Sequence, residues 1–285
     1  MKGIILIDKP EGWTSHDVCA KLRGALREKR IGHAGTLDPM ATGLLTVFVG
    51  RATRAVQFAE NDIKKYTAGL KLGIKTDTLD TTGSVLDRKP ASFSLDEVRK
   101  TLEGFKGELL QTPPMYSAIK IQGKKLYEIA RRGEEIERAP RKITIYELEA
   151  KGDGDEFTLN VTCSKGTYIR SLCDDIGAAL GSFGCMSSLR RTAAGIFDIS
   201  SAHSLEEVLA EENREKFLLP VDSLFSDRES VIIDEKTEER VRNGNSFPTG
   251  LSDGEYRIYS KSSEFLCLAR AQGGEMKTVK SFFEV

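Results

Sequence analysis

The chain has little to offer metal, disulfide or membrane chemistry. Its five cysteines (Cys19, Cys163, Cys173, Cys185 and Cys267) are an odd set without a CxxC pair, and its three histidines, His16, His33 and His203, are scattered. Neither a zinc site nor a disulfide framework fits that spacing, so reduced thiols and no bound metal are expected. No stretch approaches the roughly 18 consecutive apolar residues of a membrane span. The amino terminus has a brief apolar run, Ile4 to Ile7, that meets Asp8 and Lys9 at once. That is too short for a signal peptide and predicts a cytoplasmic protein. With a net charge of −1 the chain is not a uniformly basic nucleic-acid binder, although phosphate binding depends on local potential.

The charge that is present is unevenly spread. From Ala118 to Lys142 eight Lys/Arg stand against four acids, and from His203 to Glu239 twelve acids stand against four Lys/Arg. The positive side therefore lies in the first two thirds of the chain, and any one of these runs also suits a solvated helix face. At 285 residues two domains are expected, on a prior of about 150 residues each.

GIILID, residues 3–8, is of strand length, and Ser15 opens a helix with Val18, Leu22, Ala25 and Leu26 on one face. The stretch 30–50 reads as a loop followed by one apolar strand, LLTVFVG. Residues 66–72 read as a strand, and 96–102 as a helix with Ser94 near its cap. Residues 142–151 and 156–164 are two strands of a hairpin, with Phe157, Leu159 and Val161 alternating. From Thr167 a helix follows, with Ile169, Leu172, Ile176 and Leu180 in register, and the acidic region 204–219 reads as another amphipathic helix. After Leu224 the texture changes to short strands with one helix near their start. The whole is an α+β chain with much antiparallel sheet, divided into a domain at 1–224 and a small β-module at 225–285.

The most unusual segment is GHAGTLDPMATG, residues 32–43. It lacks the GxxxxGK[ST] spacing of a phosphate loop and the GxGxxG of a dinucleotide fold. Taken alone, Asp38 before Pro39 is a turn former.

The wording of this and other segments closely resembles the TruB family of tRNA pseudouridine synthases. GHAGTLDPMATGLL carries the family's signature, preceded by DKPEGWTS at 8–15, the family's opening phrase, which packs beside the active-site loop. Lys65-Tyr66, then LGIKTDTLDTTG at 72–83, QTPPMYSAIKIQGKKLYEIARRG at 111–133, CSKGTYIRSL at 163–172 and LRRTAAG at 189–195 follow in order.

The resemblance implies a pseudouridine synthase fold, a central mostly antiparallel sheet flanked by helices, with a small C-terminal PUA-like β-barrel. It implies that Asp38 is the catalytic carboxylate, that its partner cation is Arg170, whose guanidinium can form a two-pronged pair with it, and that Tyr66 stacks on the flipped base. It places Tyr168 beside the ring, Leu189 in the uracil pocket, and His33 in the space vacated by flipped bases. Lys65 is expected at the substrate. Lys120, Lys124, Lys125, Arg131, Arg132, Arg141 and Lys142 suit phosphate contacts with a folded RNA arm.

The reaction breaks the N1–C1′ bond, turns the uracil and rejoins it through C5, so no atoms are exchanged and no cofactor is implied. A carboxylate can attack the sugar or the base, or take a proton from C2′, and the sequence does not choose among these. The expected substrate is uridine 55 in the tRNA T loop, bound by a monomer without a guide RNA. The rival readings are an inert RNA-binding relative, a nucleoside hydrolase, which usually needs a second carboxylate, and the guide-dependent relatives.

Overall fold

A computed structural model describes residues 1–60, 63–121 and 123–283; Gln122 of the long basic motif and the last two residues of the C-terminal module lie outside them. The apolar run near the amino terminus is a strand buried on both faces, as an uninterrupted run of that length favours. In this strand, β1 (Gly3–Lys9), Ile4 and Leu6 enter one core while Ile5 and Ile7 enter another. Thr14 caps helix α1 (Ser15–Leu26) in a reciprocal capping box with Asp17, and Val18, Leu22 and Leu26 form its buried face.

The stretch 30–50 holds two strands rather than one: β2 (Ile31–Ala34) and β3 (Thr42–Val49). β2 is four residues long and includes Gly32 and His33, so it shows no apolar alternation. It is a strand because β3 pairs with it, from Ile31↔Val49 to Ala34↔Thr46. A short helix α2 (Val56–Ala59) leads to β4 (Lys64–Leu72), and a small hairpin, β5 (Ile74–Thr76) and β6 (Val85–Arg88), follows. Ser94 and Glu97 cap α3 (Leu95–Leu102), which precedes β7 (Gly107–Gln111).

Next comes a small excursion: β8 (Lys120–Ile121), β9 (Lys124–Lys125) and α4 (Leu126–Ala130). The expected hairpin is β10 (Arg141–Asp153) and β11 (Glu156–Cys163), turning at Gly154-Asp155 with Gly154 at φ 70°. Helix α5 (Ile169–Ala179) and strand β12 (Gly184–Ala194) follow, then β13 (Phe197–Asp198) and β14 (His203–Ser204).

The acidic region 204–219 is not one helix. α6 (Leu205–Ala210) stops at Glu211, which is extended, and a 3₁₀ turn spans Arg214–Phe217. The Glu211 carboxylate accepts from the Asn213 N–H, a local bond that competes with helix, and Phe217 turns into the core with α1.

The large sheet runs β14-β1-β3-β12-β4-β11-β10-β7, with β13 on β12 and β2 on β3; among the described residues β1/β14 and β3/β12 are its parallel pairs. One core packs the β4, β10, β11 and β12 region against α3 and α5, and a second packs β1 and β3 against α1 and α6.

After Leu224 comes a five-stranded PUA-like sheet, ordered β15 (Glu229–Ile232), β17 (Gly254–Tyr259), β18 (Phe265–Gln272), β19 (Glu275–Ser281), β16 (Phe247–Pro248), with helix α7 (Glu235–Arg242) beside it. It is joined to the large sheet by shared apolar packing. Phe265, Leu268 and Phe282 meet Ile4, Leu44, Phe48 and Phe225, and the Tyr259 hydroxyl donates to Asp222 at 2.6 Å. No helix among the described residues is long and apolar enough to cross a membrane.

The sheet topology makes an opening for a loop. β3 pairs with β1 along one whole edge, but its other edge is divided: β2 takes Thr46–Val49 and β12 takes Thr42 and Gly43. Segment 35–41 leaves the sheet between them. At Gly43, φ is +97° and a Cβ would stand 2.3 Å from the Arg191 carbonyl oxygen, so only glycine permits this approach of β3 to β12.

Candidate active site

Asp38 sits on segment 35–41, which is held down from several sides. Leu37 and Ala41 are buried in the main core. Burial of Leu37 is worth about 1.5–3 kcal/mol, less than the backbone entropy of ordering several residues at about 1–2 kcal/mol each. Hydrogen bonds make up the difference. Ser15 Oγ accepts from Leu37 N–H at 2.8 Å and donates to the Leu37 carbonyl at 3.1 Å. The Gly12 N–H donates to the Pro39 carbonyl at 2.8 Å, so DKPEGWTS does pack against the Asp38 segment.

Lys9 was not singled out from the sequence, yet its side chain is buried and central to this clamp. Its Nζ donates to the carbonyls of Pro10 (2.8 Å), Trp13 (2.6 Å) and Pro39 (3.4 Å). Burial pushes the ammonium down to about 8, opposed by the nearby Asp38 charge. Between about 8 and the unfolded value of 10.5 the unfolded chain binds the extra proton, so this group's contribution to stability is lost as pH falls through 8. In paired urea titrations the wild type should therefore gain stability relative to Lys9→Met between pH 7.5 and 10; parallel pH curves would contradict the burial.

The Asp38 carboxylate, about one third exposed, opens onto a cavity of about 260 Å³ lined also by Tyr66, Ser117, Tyr168, Arg170, Leu189 and Arg191. That is just below the roughly 300–1,000 Å³ of drug-sized ligand pockets and suits a single flipped base. Arg170, in the first turn of α5, is buried (5 % exposed) and not on the surface. Its Nε stands 2.9 Å from Asp38 Oδ2.

The expected two-pronged pair is not formed. Nη1 donates instead to the Thr78 carbonyl at 3.0 Å and Nη2 to the Tyr116 carbonyl at 2.7 Å, leaving Nε for Asp38. The guanidinium is thus fixed by the protein and faces the carboxylate with Nε in an ion pair.

Asp80 is a second residue that sequence reading passed over. It is buried, accepts from Thr78 Oγ1, the Thr82 N–H and Thr82 Oγ1, and stands 3.9 Å from Arg170 Nε. An Asp set among Thr76, Thr78, Thr81 and Thr82 was the available signal, because closely spaced hydroxyls satisfy a buried carboxylate. The preceding Leu79 has φ 63°, a local strain held by Met186 N–H on its carbonyl.

Tyr168 is held by its backbone. Gln111 Oε1 accepts from the Tyr168 N–H at 2.8 Å and Gln111 Nε2 donates to the Tyr168 carbonyl at 3.0 Å. Burial raises both phenols; Arg191 opposes this at Tyr66, and Ser117 and Arg141 oppose it at Tyr168. Leu189 is a wall of the cavity and joins the main core as well.

His33 and Lys65 are not part of this lining. His33 is on β2 and does not line the cavity; burial keeps its imidazole below the usual value. Lys65 is exposed on the far face of β4, because strand alternation turns Lys64 and Tyr66 toward the cavity. The basic segment begins at the cavity rim, where Ser117 and Ala118 are part of the lining. Lys120, Lys124, Arg132 and Arg141 are exposed, Lys125 and Arg131 both lie over the Tyr127 ring, and Lys142 pairs with Glu108 at 2.8 Å. Among the described residues no three His, Cys, Asp or Glu side chains gather as for a metal.

Comparison with known proteins bears on what this cavity is for. Residues 23–169 match the model of the TruB family pseudouridylate synthase N-terminal domain, and 170–226 match that of the tRNA pseudouridylate synthase B C-terminal domain. The chain is 48% identical to tRNA pseudouridine synthase B of Alkaliphilus oremlandii, over 86% of this chain and 82% of that one. It is 40% identical to the Clostridium kluyveri protein of the same name, over 99% and 100%. The chain belongs to the TruB family of pseudouridylate synthases.

As a TruB-family enzyme it isomerises uridine to pseudouridine. Solved structures with the same fold include an H/ACA ribonucleoprotein bound to a substrate RNA containing 2′-deoxyuridine (TM-score 0.75, 25% identity, 99% of this chain and 85% of that one). A Cbf5-Nop10-Gar1 complex is similar (TM-score 0.74, 28% identity, 99% and 85%). These neighbours bear out the pseudouridine synthase fold expected from the sequence.

Proposed function

We propose that the protein converts uridine 55 in the T loop of tRNA to pseudouridine, as a monomer in the cytoplasm, with Asp38 as the catalytic carboxylate and without guide RNA, metal or cofactor. The observation that carries this reading is the Asp38–Arg170 contact at 2.9 Å on the rim of a nucleotide-sized cavity. The uridine must leave its stack to enter, at a cost of a few kcal/mol. Stacking on Tyr66 recovers roughly 1–3 kcal/mol. With the base held there, Asp38 assists N1–C1′ cleavage. The uracil turns in place, C5 bonds to C1′, and the C5 proton leaves to solvent while N1 gains one. Arg170, anchored on two carbonyls, keeps the carboxylate fixed through these steps.

Residues 1–224 are assigned this chemistry and 225–285 an RNA contact at a distance from it. The guide-free reading is supported by the high identity to proteins named for tRNA, 40–48%, against 25–28% to the H/ACA ribonucleoprotein and the Cbf5-Nop10-Gar1 complex. An unmodified tRNA transcript, incubated with protein alone and probed by carbodiimide and primer extension, tests it. One new stop at position 55 is expected, lost when uridine 55 is replaced by cytidine; a stop elsewhere would refute the position.

The exposed basic segment positions the arm by its phosphates. Replacing Lys120, Lys124 and Arg132 together by Ala should weaken binding and make the slope of log affinity against log salt shallower by about 2–3. An unchanged slope would remove these residues from the interface.

A further inference from the structure

Arg191 is a wall of the same cavity and takes no part in the steps assigned to Asp38 and Arg170. It is 1 % exposed, and its side-chain partners are neutral groups. Nε donates to the Leu44 carbonyl at 2.7 Å and Nη2 to the Gly35 carbonyl at 2.9 Å. Gly35 and Leu44 bracket the segment that carries Asp38. Arg191↔Tyr66 is a backbone register pair between β12 and β4, both residues line the cavity, and the nearby guanidinium charge opposes the burial that raises the Tyr66 phenol.

The fit at Gly35 is close: φ is +71°, and a Cβ there would stand 3.0 Å from Arg191 Nη1. The Arg191 backbone comes closer still to the other end of the segment, where a Cβ at Gly43 would stand 2.3 Å from its carbonyl oxygen. Carbonyl oxygens compensate a buried guanidinium less fully than a carboxylate does, so this burial is costly as mere packing. An aliphatic side chain of similar length would fill the space at lower cost. What it would not do is tie the Gly35 and Leu44 carbonyls to one rigid plane beside Tyr66.

We propose that Arg191 is a positioning residue that joins both ends of the Asp38 segment to the Tyr66 ring and so sets the gap between carboxylate and stacking face into which the uracil fits. This rests on the reading of Asp38 and Tyr66 given above. Arg191 acts through those two residues. Charge alone does not perform the role, because a lysine ammonium lacks the planar fork that reaches Gly35 and Leu44 together.

The test compares wild type, Arg191→Lys and Arg191→Ala in single-turnover conversion at saturating T-arm RNA, with T-arm affinity and thermal melting measured in parallel. Both variants are expected to lose about 10²-fold in rate per folded molecule, the scale of a misplacement of roughly 1 Å. Affinity should stay within about threefold, because the phosphate contacts are elsewhere. Millimolar guanidinium ion should restore part of the rate of Arg191→Ala and none of that of Arg191→Lys, whose side chain still fills the site. A wild-type rate in Arg191→Lys would show that charge suffices and overturn the proposal. A normal rate per folded molecule in Arg191→Ala, with only the melting temperature lowered, would reduce Arg191 to a structural filler and overturn it too. Should the Ala variant not fold, the Lys variant decides alone. Failure of the wild type to convert the RNA would instead count against the proposed function, not against this role.

Discussion

Asp38→Asn is expected to lower the single-turnover rate by at least about 10³-fold, within the range for removing a group that acts on the reacting atoms. Asn keeps the shape and an oxygen for Arg170 Nε, so the segment pinned by Ser15, Lys9 and the core should not move. T-arm binding should therefore stay within roughly threefold of wild type, and the loss should appear in kcat alone. Asp38→Glu should fail almost as badly, because Arg170 is anchored to Thr78 and Tyr116 and cannot retreat for the longer side chain. A residual rate within tenfold of wild type in Asp38→Asn would remove the carboxylate from the chemistry.

The second large effect is on Arg170. Arg170→Met is expected to destabilise the fold by about 3–5 kcal/mol, the usual result of removing one member of a buried charged network. It leaves the buried Asp80 without its nearest cation and the Thr78 and Tyr116 carbonyls without their donors. The rate should fall by roughly 10²–10³-fold as Asp38 loses its fixed partner. Arg170→Met with Asp80→Asn separates the two effects. Urea unfolding of the double variant should show part of the stability recovered, while single-turnover conversion stays as low as in Arg170→Met. Recovery of the rate together with the stability would mean that Arg170 matters only for folding.

The parts of the fold visible in the sequence are those with local signals. The run Ile4 to Ile7 has no polar face and is buried on both sides; Thr14 to Asp17 and Ser94 to Glu97 spell out two helix starts; Phe157, Leu159 and Val161 mark one face of a hairpin. What was missed depends on partners far along the chain. β2 becomes a strand through β3, and α6 ends where Glu211 bonds to its own neighbourhood.

The site divides in the same way. Asp38, Tyr66, Tyr168, Arg170 and Leu189 were named from motif wording, and the fold gathers them around one cavity. Wording carries no geometry, however. It does not say that Arg170 meets Asp38 through Nε alone, nor that Lys64 lines the cavity while Lys65 does not, and it passes over Lys9, Asp80 and Arg191. Those three buried polar side chains have a clear role only once the carbonyls and hydroxyls they serve have been brought together by the sheet.

The most direct measurement of the central claim is release of tritium from a T-arm stem-loop labelled at C5 of its uridines, with purified protein and no guide or cofactor. Pseudouridine formation at one site expels one C5 hydrogen to water. The account predicts release equivalent to one uridine per RNA in a single turnover, abolished by Asp38→Asn. Tight binding of the arm with no tritium released would contradict it.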